Sequence, residues 1–459
     1  MEEFSNKISI NNALETALEI LLGFDSQSGL LEALEQKAFA RHPGLTRKDR
    51  AFVTALAHGV IRWRARVDWI IAFFSKAPDS RISPRVKNIL RLGVFQLLFM
   101  SRVPPAVSVN ACVGLAKKRS PAWIPPFVNG VLRNVARQGS QIAIPDPAAD
   151  PVQAVSVGES FPEWLVARWL SRLGLEQTIA LCQALNRVTP ITVRTNTLLT
   201  TPAGLKTPLF PEVENLWPTL HAPVGFHFQR PRQAISCLDA FKKGWFAVQD
   251  EGAQLIGHLL SPRPGERVLD ACSGLGVKSG HLAQLMENQG QILALDSDSS
   301  KLQTAAQEMQ RLGATIVVAR QWDLNRPYPD SGNGFDKILV DAPCSSLGVI
   351  RKHPDAKWIK SPDTILQCAR IQSRILDSAS VSLKIDGCLV YAVCSLEPEE
   401  TMEVVLNFLS RHPDFALDEK SDTLAQFVSR FVNQEGFFHT EPHTHDMDGF
   451  FAVRLTRKR

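Results

Sequence analysis

Apolar residues recur at three- and four-residue spacing through most of residues 1–140, the period of helices that bury one face. Thr46 with Asp49 predicts a capping box, and Ser83 before Pro84 predicts a second capped helix start. No alternating strand pattern interrupts the region, so we expect an all-α bundle. The predicted helices are 11–22, 30–38, 49–61, 67–74, 84–100, 106–116 and 127–138.

The pattern changes after residue 140. Residues 141–158 hold three prolines and neither Lys nor Arg, which predicts a linker. Residues 159–240 are expected to form a small α+β connecting subdomain, with helices at 163–173 and 175–185 and a strand at 191–195.

Beyond residue 240, short apolar runs alternate with helical patterns to the end of the chain. This alternation predicts a doubly wound, Rossmann-like α/β domain over residues 241–459. The predicted strands are 268–271, 291–295, 315–319, 337–340, 388–393 and 450–455, and the first two predicted helices are 279–287 and 299–312.

Two stretches of this domain place a cysteine directly after an apolar run: DAPCSSLG at 341–348 and YAVCSLEPEE at 391–400. Ligands of parallel sheets lie beyond the carboxyl ends of the strands. We therefore expect Asp341, Cys344 and Cys394 to meet in one cleft, although 50 residues separate the two cysteines.

The turn after the first strand of the domain, DACSGLGVKSG at 270–280, is rich in glycine and precedes a helix, a combination that binds anionic or nucleoside ligands. Asp296 follows Gly276 by 20 residues, a distance at which a carboxylate can accept from ribose hydroxyls. The glycine spacing disfavours a dinucleotide, and Val277 stands where a P-loop needs glycine. A nucleoside without pyrophosphate remains, of which S-adenosyl-L-methionine (SAM) is the common case; a plain structural turn stays open.

Charge is distributed unevenly along the chain, whose net charge is +5. Residues 41–137 carry 18 Lys or Arg against three acids, which leaves about −10 for the remainder. A basic helical domain predicts a polyanion partner, nucleic acid first. Arg62, Arg64 and Arg66 around Trp63, and Lys117 to Arg119, are candidate phosphate contacts.

The eight cysteines form no CxxC pair, which argues against a zinc site or a disulfide framework and fits a reducing, cytoplasmic compartment. His439, His443 and His445 lack a companion that would make a convincing metal site, so no metal is expected. The sequence contains no run of 18 apolar residues, so no membrane-spanning helix is predicted.

A cysteine thiolate suits the methylation of cytosine carbon 5, which is not nucleophilic by itself. Thiolate addition at carbon 6 makes carbon 5 enamine-like, so that it can attack a methyl sulfonium; a base must then remove the carbon 5 proton. Cys394, Asp341 and Cys344 supply the residue types that this chemistry needs.

The C-terminal half resembles the RNA 5-methylcytosine methyltransferases, specifically the Sun (RsmB) branch that modifies small-subunit ribosomal RNA. DAPCSSLGVIRKHPDAKW (341–358) and LVYAVCSLEPEE (389–400) match its two cysteine motifs. The helical part is similar to the NusB-type RNA-binding domain of that branch, through DRAFVTALAHGVIRW (49–63), LRLGVFQLLFM (90–100) and FVNGVLRNVAR (127–137).

The resemblance implies a monomeric, SAM-dependent enzyme that acts on small-subunit ribosomal RNA. Cys394 would be the nucleophile, Cys344 would assist product release, and Asp341 would contact both the base and the cofactor region. Asp296 would hold the ribose and Asp323 the adenine. The loop that would wrap the methionine part comprises Cys272, Ser273, Gly274, Leu275, Gly276, Val277 and Lys278.

This loop departs from the family pattern CAAPGGKT, since Leu275 replaces Pro and Val277 replaces the second Gly. If the family conformation needs positive φ at Val277, the loop must shift, because β-branched residues disfavour it. Gly274, absent from the family pattern, offers that freedom elsewhere. The rival hypothesis is an RNA-binding protein with a degenerate methyltransferase fold; the same chemistry on transfer RNA or large-subunit RNA also stays open.

Three smaller expectations concern charged residues near the cysteine motifs. Arg351, Lys352 and His353 are expected to contact RNA phosphate or line the base pocket. Glu397, Glu399 and Glu400 are expected to cap a helix over 399–409. Helix capping and proximity to the cofactor explain Asp250 and Glu251 equally well.

Overall fold

The computed structural model describes residues 2–26, 29–75, 81–101, 103–118, 120–329, 334–418 and 424–458, with side chains from residue 12 onwards. Arg119, one of the candidate phosphate contacts, lies outside the described residues. The chain divides into two compact units: Met1–Asn186 with His353–Ile359, and Arg187–Lys352 with Lys360–Arg459. In the described part of the chain no helix is both long and apolar enough to cross a bilayer.

The first unit is helical, and every helix predicted for residues 1–140 is present; the bounds differ by a few residues, except that the first helix begins at Glu2, nine residues before its predicted start. The predicted capping box is confirmed, because Thr46 accepts from the Asp49 backbone N–H and Asp49 from that of Thr46. Ser83 likewise accepts from Val86 N–H. The helices are α1 Glu2–Asp25, α2 Leu31–Arg41, α3 Arg47–Arg62, α4 Arg64–Ser75, α5 Pro84–Phe99, α6 Pro105–Lys118, α7 Ile124–Gln138, α8 Pro151–Glu159 and α9 Glu163–Asn186.

Helix α8 shows that the predicted linker at 141–158 is wrong for its second half. Asp150 caps the helix by accepting from Gln153 N–H, and Pro151 occupies its first turn, where a missing N–H costs nothing. Val155 and Val157 are both buried. Helix α9 contains the predicted break, at Gly174, whose φ of 74° suits glycine.

Two of the candidate phosphate contacts, Arg62 and Arg66, instead hold the first unit together. Trp63, which follows Arg62, packs in the same unit, where it stacks on Phe99 with ring centroids 5.0 Å apart. Arg62 is 6% exposed and donates to the Leu185 carbonyl at 3.3 Å. Arg66 donates to the Ile142 carbonyl at 2.8 Å.

The segment His353–Ile359 packs within the first unit, although it lies far along the sequence from the rest of that unit, Met1–Asn186. Lys357 is fully buried, and its Nζ donates to the Arg62 carbonyl at 2.9 Å and to Asn186 Oδ1 at 3.0 Å. Burial lowers the pKa of Lys357 well below its ordinary value. Trp358 Nε1 donates to the Ile61 carbonyl at 2.7 Å.

The second unit begins at Arg187 with the strands of the predicted α+β subdomain, whereas the two helices predicted for that subdomain form α9 and belong to the first unit. The four-stranded antiparallel sheet of the subdomain has the order β2-β3-β1-β4. Val193, Phe228 and Phe246 are buried in its core. Its elements are β1 Ile191–Thr195, α10 Pro202–Leu209, β2 Glu214–Pro218, β3 Gly225–Gln229, α11 Asp239–Lys242 and β4 Phe246–Val248.

The larger sheet has the order β10-β12-β9-β8-β5-β6-β7, with β11 beside β12. Strands β5 to β9 are mutually parallel, whereas β12 is antiparallel to β9. The predicted α/β domain is confirmed, with an antiparallel edge. The strands are β5 Arg267–Asp270, β6 Gln291–Asp296, β7 Val317–Gln321, β8 Phe335–Asp341, β9 Leu383–Val393, β10 Phe415–Leu417, β11 Phe437–Thr440 and β12 Phe450–Arg457.

Helices cover both faces of this sheet, as burial of the strands on both sides requires. The predicted helix 299–312 is confirmed to the residue. The helices are α12 Glu251–Leu260, α13 Val277–Leu285, α14 Ser299–Leu312, α16 Pro362–Ser380, α17 Met402–Arg411, α18 Gln426–Ser429 and α19 Pro442–His445; α15 Ala356–Ile359 belongs to the first unit.

Candidate active site

The ends of two adjacent parallel strands bring the two cysteines of the motifs together. β8 and β9 pair in register up to Asp341 and Ala392, and Gly348 N–H donates to the Cys394 carbonyl at 3.0 Å. The sulfur atoms of Cys344 and Cys394 lie 3.2 Å apart, within hydrogen-bonding distance. The predicted meeting of both thiols at one edge of the sheet is therefore found.

The two thiols differ in acidity. The hydrogen bond from the Cys344 thiol lowers the pKa of Cys394, and the nearby Lys278 ammonium acts in the same direction. The same hydrogen bond, together with burial, raises the pKa of Cys344 well above its ordinary value. The two thiols are therefore coupled, because a hydrogen bond that favours the thiolate of one disfavours ionisation of the other.

Lys278 joins the thiols to the third predicted catalytic residue. Its Nζ lies 2.5 Å from Asp341 Oδ2 and 5.5 Å from the centroid of the Phe450 ring. Burial opposes the ammonium, but the Asp341 carboxylate raises the pKa of Lys278. The ammonium therefore stays charged beside Cys394 and Asp341.

The glycine turn between β5 and α13 accommodates the two substituted family positions. Gly274 and Gly276 have φ of 55° and 82°, whereas Val277 is the first residue of α13 and is not among the residues with positive φ. Gly274 N–H donates to Asp296 Oδ2 at 3.0 Å. Because the left-handed positions are both glycines, Val277 imposes no backbone strain here.

A cavity of about 230 Å³ opens beside this turn. Its lining includes Cys272, Gly274, Asp296, Asp323 and Asp341 from the predicted cofactor residues. Ser273, Leu275, Gly276, Val277 and Lys278 shape or flank the turn and do not line the cavity. Seven further lining residues were not predicted as cofactor contacts: Ala271, Ser297, Lys301, Trp322, Leu324, Pro343 and Ile375.

The lining fits an adenine nucleoside. Asp296 and Asp323 offer carboxylate oxygens to ribose or base donors, and the latter keeps its carboxylate at the surface of the molecule. Trp322, Leu324 and Ile375 provide the flat apolar surface on which a purine packs. The charge and the apolar wall together match SAM, which carries no phosphate.

The structure corrects the expectations for the charged residues around the motifs. Arg351 has a side chain only 4% exposed and pairs with Asp448 at 2.7 Å, so it is no RNA contact. Lys352 pairs with Asp250 and Asp448 at 2.6 Å each. Asp250 caps α12 by accepting from Gly252 N–H. Glu400 is no helix cap, because α17 begins at Met402 and Glu400 is fully buried.

Comparison with known proteins gives a consistent picture over the whole chain. Residues 257–456 match the family described as 16S rRNA methyltransferase RsmB/F, residues 11–137 the NusB family, and residues 161–234 the RsmF/B-like ferredoxin-like domain. The chain is 32% identical to the probable ribosomal RNA small subunit methyltransferase B of Bacillus subtilis, over 97% of this chain and 98% of that protein. The protein of the same name in Synechocystis sp. is 33% identical over 97% and 99%.

Solved structures share the fold. The crystal structure of PH0851 superposes with a TM-score of 0.79 at 25% identity, covering 97% of this chain and 99% of that one. The structure of NSun6 from Pyrococcus horikoshii superposes with a TM-score of 0.58 at 23% identity, covering 66% of this chain and 99% of that one.

Proposed function

Because the chain belongs to the RsmB/F family of 16S rRNA methyltransferases, we propose that it methylates carbon 5 of a cytosine in small-subunit ribosomal RNA, with SAM as methyl donor. The observation that carries the proposal is the thiol pair, 3.2 Å apart, beside the Lys278–Asp341 ion pair. Adding a nucleophile to a pyrimidine and later removing it needs one ionised thiol and one proton carrier. This pair supplies both.

Cys394 is the proposed nucleophile, because the nearby Lys278 ammonium favours its thiolate and Ser346 Oγ lies 3.8 Å from its sulfur. Its thiolate forms a carbon–sulfur bond to carbon 6 of the cytosine. Asp341, which is paired with Lys278, contacts the edge of the base that carries the ring nitrogen. The electron pair displaced to carbon 5 makes that carbon nucleophilic. SAM, when bound, supplies the methyl group that carbon 5 accepts.

Cys344 is the proposed release helper. A proton must leave carbon 5 before the carbon–sulfur bond breaks and the Cys394 thiolate departs. Cys344 lies at hydrogen-bond distance from Cys394, so its thiol can stabilise the departing sulfur while the carbon 5 proton passes to water. Its elevated pKa suits a group that must bind a proton firmly.

The helical unit is the proposed RNA-binding module. Lys117, Arg133 and Arg137 are exposed on α6 and α7, where they are accessible to phosphate. Arg62 and Arg66 are excluded from this surface by their contacts inside the unit.

The test is methyl transfer from SAM labelled in its methyl group to transcripts of small-subunit rRNA, large-subunit rRNA and transfer RNA, followed by mapping of 5-methylcytosine. We expect label in the small-subunit transcript or its assembly intermediate alone, and none with Cys394→Ala. Methylation of another RNA class would show that this class, and not small-subunit rRNA, is the substrate. Full activity of Cys394→Ala would overturn the nucleophile assignment. The rival of a non-catalytic RNA-binding protein loses its main support, since Val277 does not deform the turn.

A further inference from the structure

Glu400 is a fully buried acid that is hydrogen-bonded to the residue after each of the two cysteines. One of its carboxyl oxygens, Oε2, accepts from the hydroxyls of Ser345 and Ser395. The other, Oε1, accepts from Ser345 N–H at 2.7 Å and from Gln372 Nε2 at 3.1 Å. Both of the residues that donate hydroxyls follow a motif cysteine immediately in sequence: Ser345 follows Cys344, and Ser395 follows Cys394.

The partners of Glu400 are themselves fixed. Gln372 Nε2 also donates to the Pro343 carbonyl at 3.0 Å, the residue before Cys344. Tyr391 on β9 donates to the Glu400 carbonyl at 2.6 Å, three residues before Cys394. The hydroxyl oxygens of Ser345 and Ser395 lie 3.3 Å apart. The loop after β8 and the loop after β9 are therefore joined through one side chain as well as by the sheet.

We propose that Glu400 is a positioning residue that clamps the Cys344 loop to the Cys394 loop and so sets the separation of the two thiols. The inference rests on the proposed function for its catalytic consequence. Its structural content, the thiol separation, stands without it. Glu400 touches neither thiol in the hydrogen bonds described and acts through Ser345 and Ser395.

Burying an acid carries a desolvation penalty that a residue serving only to fill space would not incur. An apolar residue of similar size would fill the space without a desolvation penalty, but it could not bond to both loops at once. Catalysis, by contrast, is sensitive to small displacements, because reacting groups must be held in near-attack geometry. The release step needs Cys344 within reach of the sulfur of Cys394, and the clamp acts on that distance.

The test is intramolecular cross-linking by dibromobimane, which becomes fluorescent when two neighbouring thiolates each displace one bromide. In the full-length protein we expect a Cys344–Cys394 cross-link that is absent in Cys344→Ser and in Cys394→Ser. Glu400→Ala should slow this cross-linking at least about tenfold and lower kcat by about 100-fold, since a misplacement near 1 Å costs that much. The KM for SAM should change less than about twofold, because Glu400 is not on the cavity.

Two comparisons separate positioning from loss of fold. Glu403→Ala removes an exposed acid on the next helix and should leave cross-linking and kcat at the wild-type values. Glu400→Gln keeps one acceptor oxygen, so it should recover part of both. Ser395→Ala removes one of the hydrogen bonds to Glu400. In a double-mutant cycle it should therefore reduce cross-linking and kcat little further when added to Glu400→Ala.

The inference is overturned if folded Glu400→Ala and Glu400→Gln cross-link and turn over as the wild type does. If neither Glu400 variant folds, Ser345→Ala and Ser395→Ala decide, and unchanged cross-linking in both would overturn it. Failure of the proposed function looks different: the wild-type protein would cross-link normally and methylate none of the RNAs. Slowed cross-linking with a normal kcat would mean that Glu400 sets the separation of the thiols but that this separation does not limit catalysis, which would overturn the catalytic part of the inference.

Discussion

Replacement of Cys344 by alanine tests both proposed roles of the thiol pair in one variant. The Cys344 thiol, 3.2 Å from Cys394 Sγ, is the largest cause of the lowered pKa of Cys394. A hydrogen bond to a charged group is worth about 1.5–3 kcal/mol, and a thiol is a weak donor, so about 1.4 kcal/mol is a reasonable loss. We therefore expect the pKa of Cys394 to rise and its alkylation near pH 7 to slow by about tenfold, the equivalent of about 1.4 kcal/mol.

The assay is the rate of alkylation of Cys394 by iodoacetamide, followed by peptide mass spectrometry as a function of pH. The midpoint of the rate profile should move to higher pH in Cys344→Ala, because only the thiolate reacts. Cys344→Ser keeps a donor at the same place and should move it much less. Cys237→Ala, which removes an exposed cysteine, is the control and should leave the profile unchanged.

The same variant should accumulate a covalent protein–RNA adduct in the presence of SAM and RNA. Without Cys344 the release step is slowed more than addition, and the adduct appears as a band that survives denaturation. An adduct formed by Cys394→Ala and not by Cys344→Ala would reverse the two roles. An unshifted alkylation profile in Cys344→Ala would refute the argument that the thiol–thiol hydrogen bond tunes Cys394.

Three further outcomes follow from the geometry. Lys278→Met should raise the pKa of Cys394 and slow its alkylation at pH 7, whereas Lys278→Arg, which retains the charge, should slow it less; equal rates in all three proteins would contradict the electrostatic argument. Trp322→Ala should weaken SAM binding about tenfold by calorimetric titration, the worth of an aromatic packing contact of about 1.4 kcal/mol. Burial lowers the pKa of His258 to about 4, so the unfolded chain binds the proton first and stability should fall by up to about 3 kcal/mol between pH 7 and pH 4. Urea unfolding of His258→Gln should show a shallower loss over that interval.

Local patterns were sufficient for most of the fold. Apolar spacing and capping residues predict helices α3 and α5, and short apolar runs predict most strands of the large sheet. Helix α8 was not predicted because the segment 141–158 holds three prolines, a composition typical of a linker, although Pro151 stands at the first helical turn. Composition alone does not distinguish a proline that starts a helix from one that prevents it.

The candidate site divides in the same way. Cys344, Cys394 and Asp341 were found because they follow strands that pair side by side. Trp322 and Ile375 were missed because each lies in an unremarkable sequence, and only the fold brings them to one cavity. Lys357 shows the same limit: nothing in its sequence indicates that its ammonium is buried among the Arg62 carbonyl, the Asn186 amide and the Phe161 ring.

The substituted turn gives the sharpest contrast between sequence and structure. Gly276 has φ of 82°, and a Cβ there would lie 3.0 Å from Ala305 Cβ and from Met309 Cε, whereas Val277 begins α13. Gly276→Ala should therefore strain the turn by about 1–2 kcal/mol, displace the Gly274 N–H bonded to Asp296, and weaken SAM binding about tenfold in calorimetric titration. Val277→Gly, which restores the family residue, should leave the affinity unchanged and cost about 1 kcal/mol of stability, because glycine is a poor helix residue. Tighter SAM binding by Val277→Gly, with Gly276→Ala neutral, would mean that the left-handed position lies at residue 277 in the bound state.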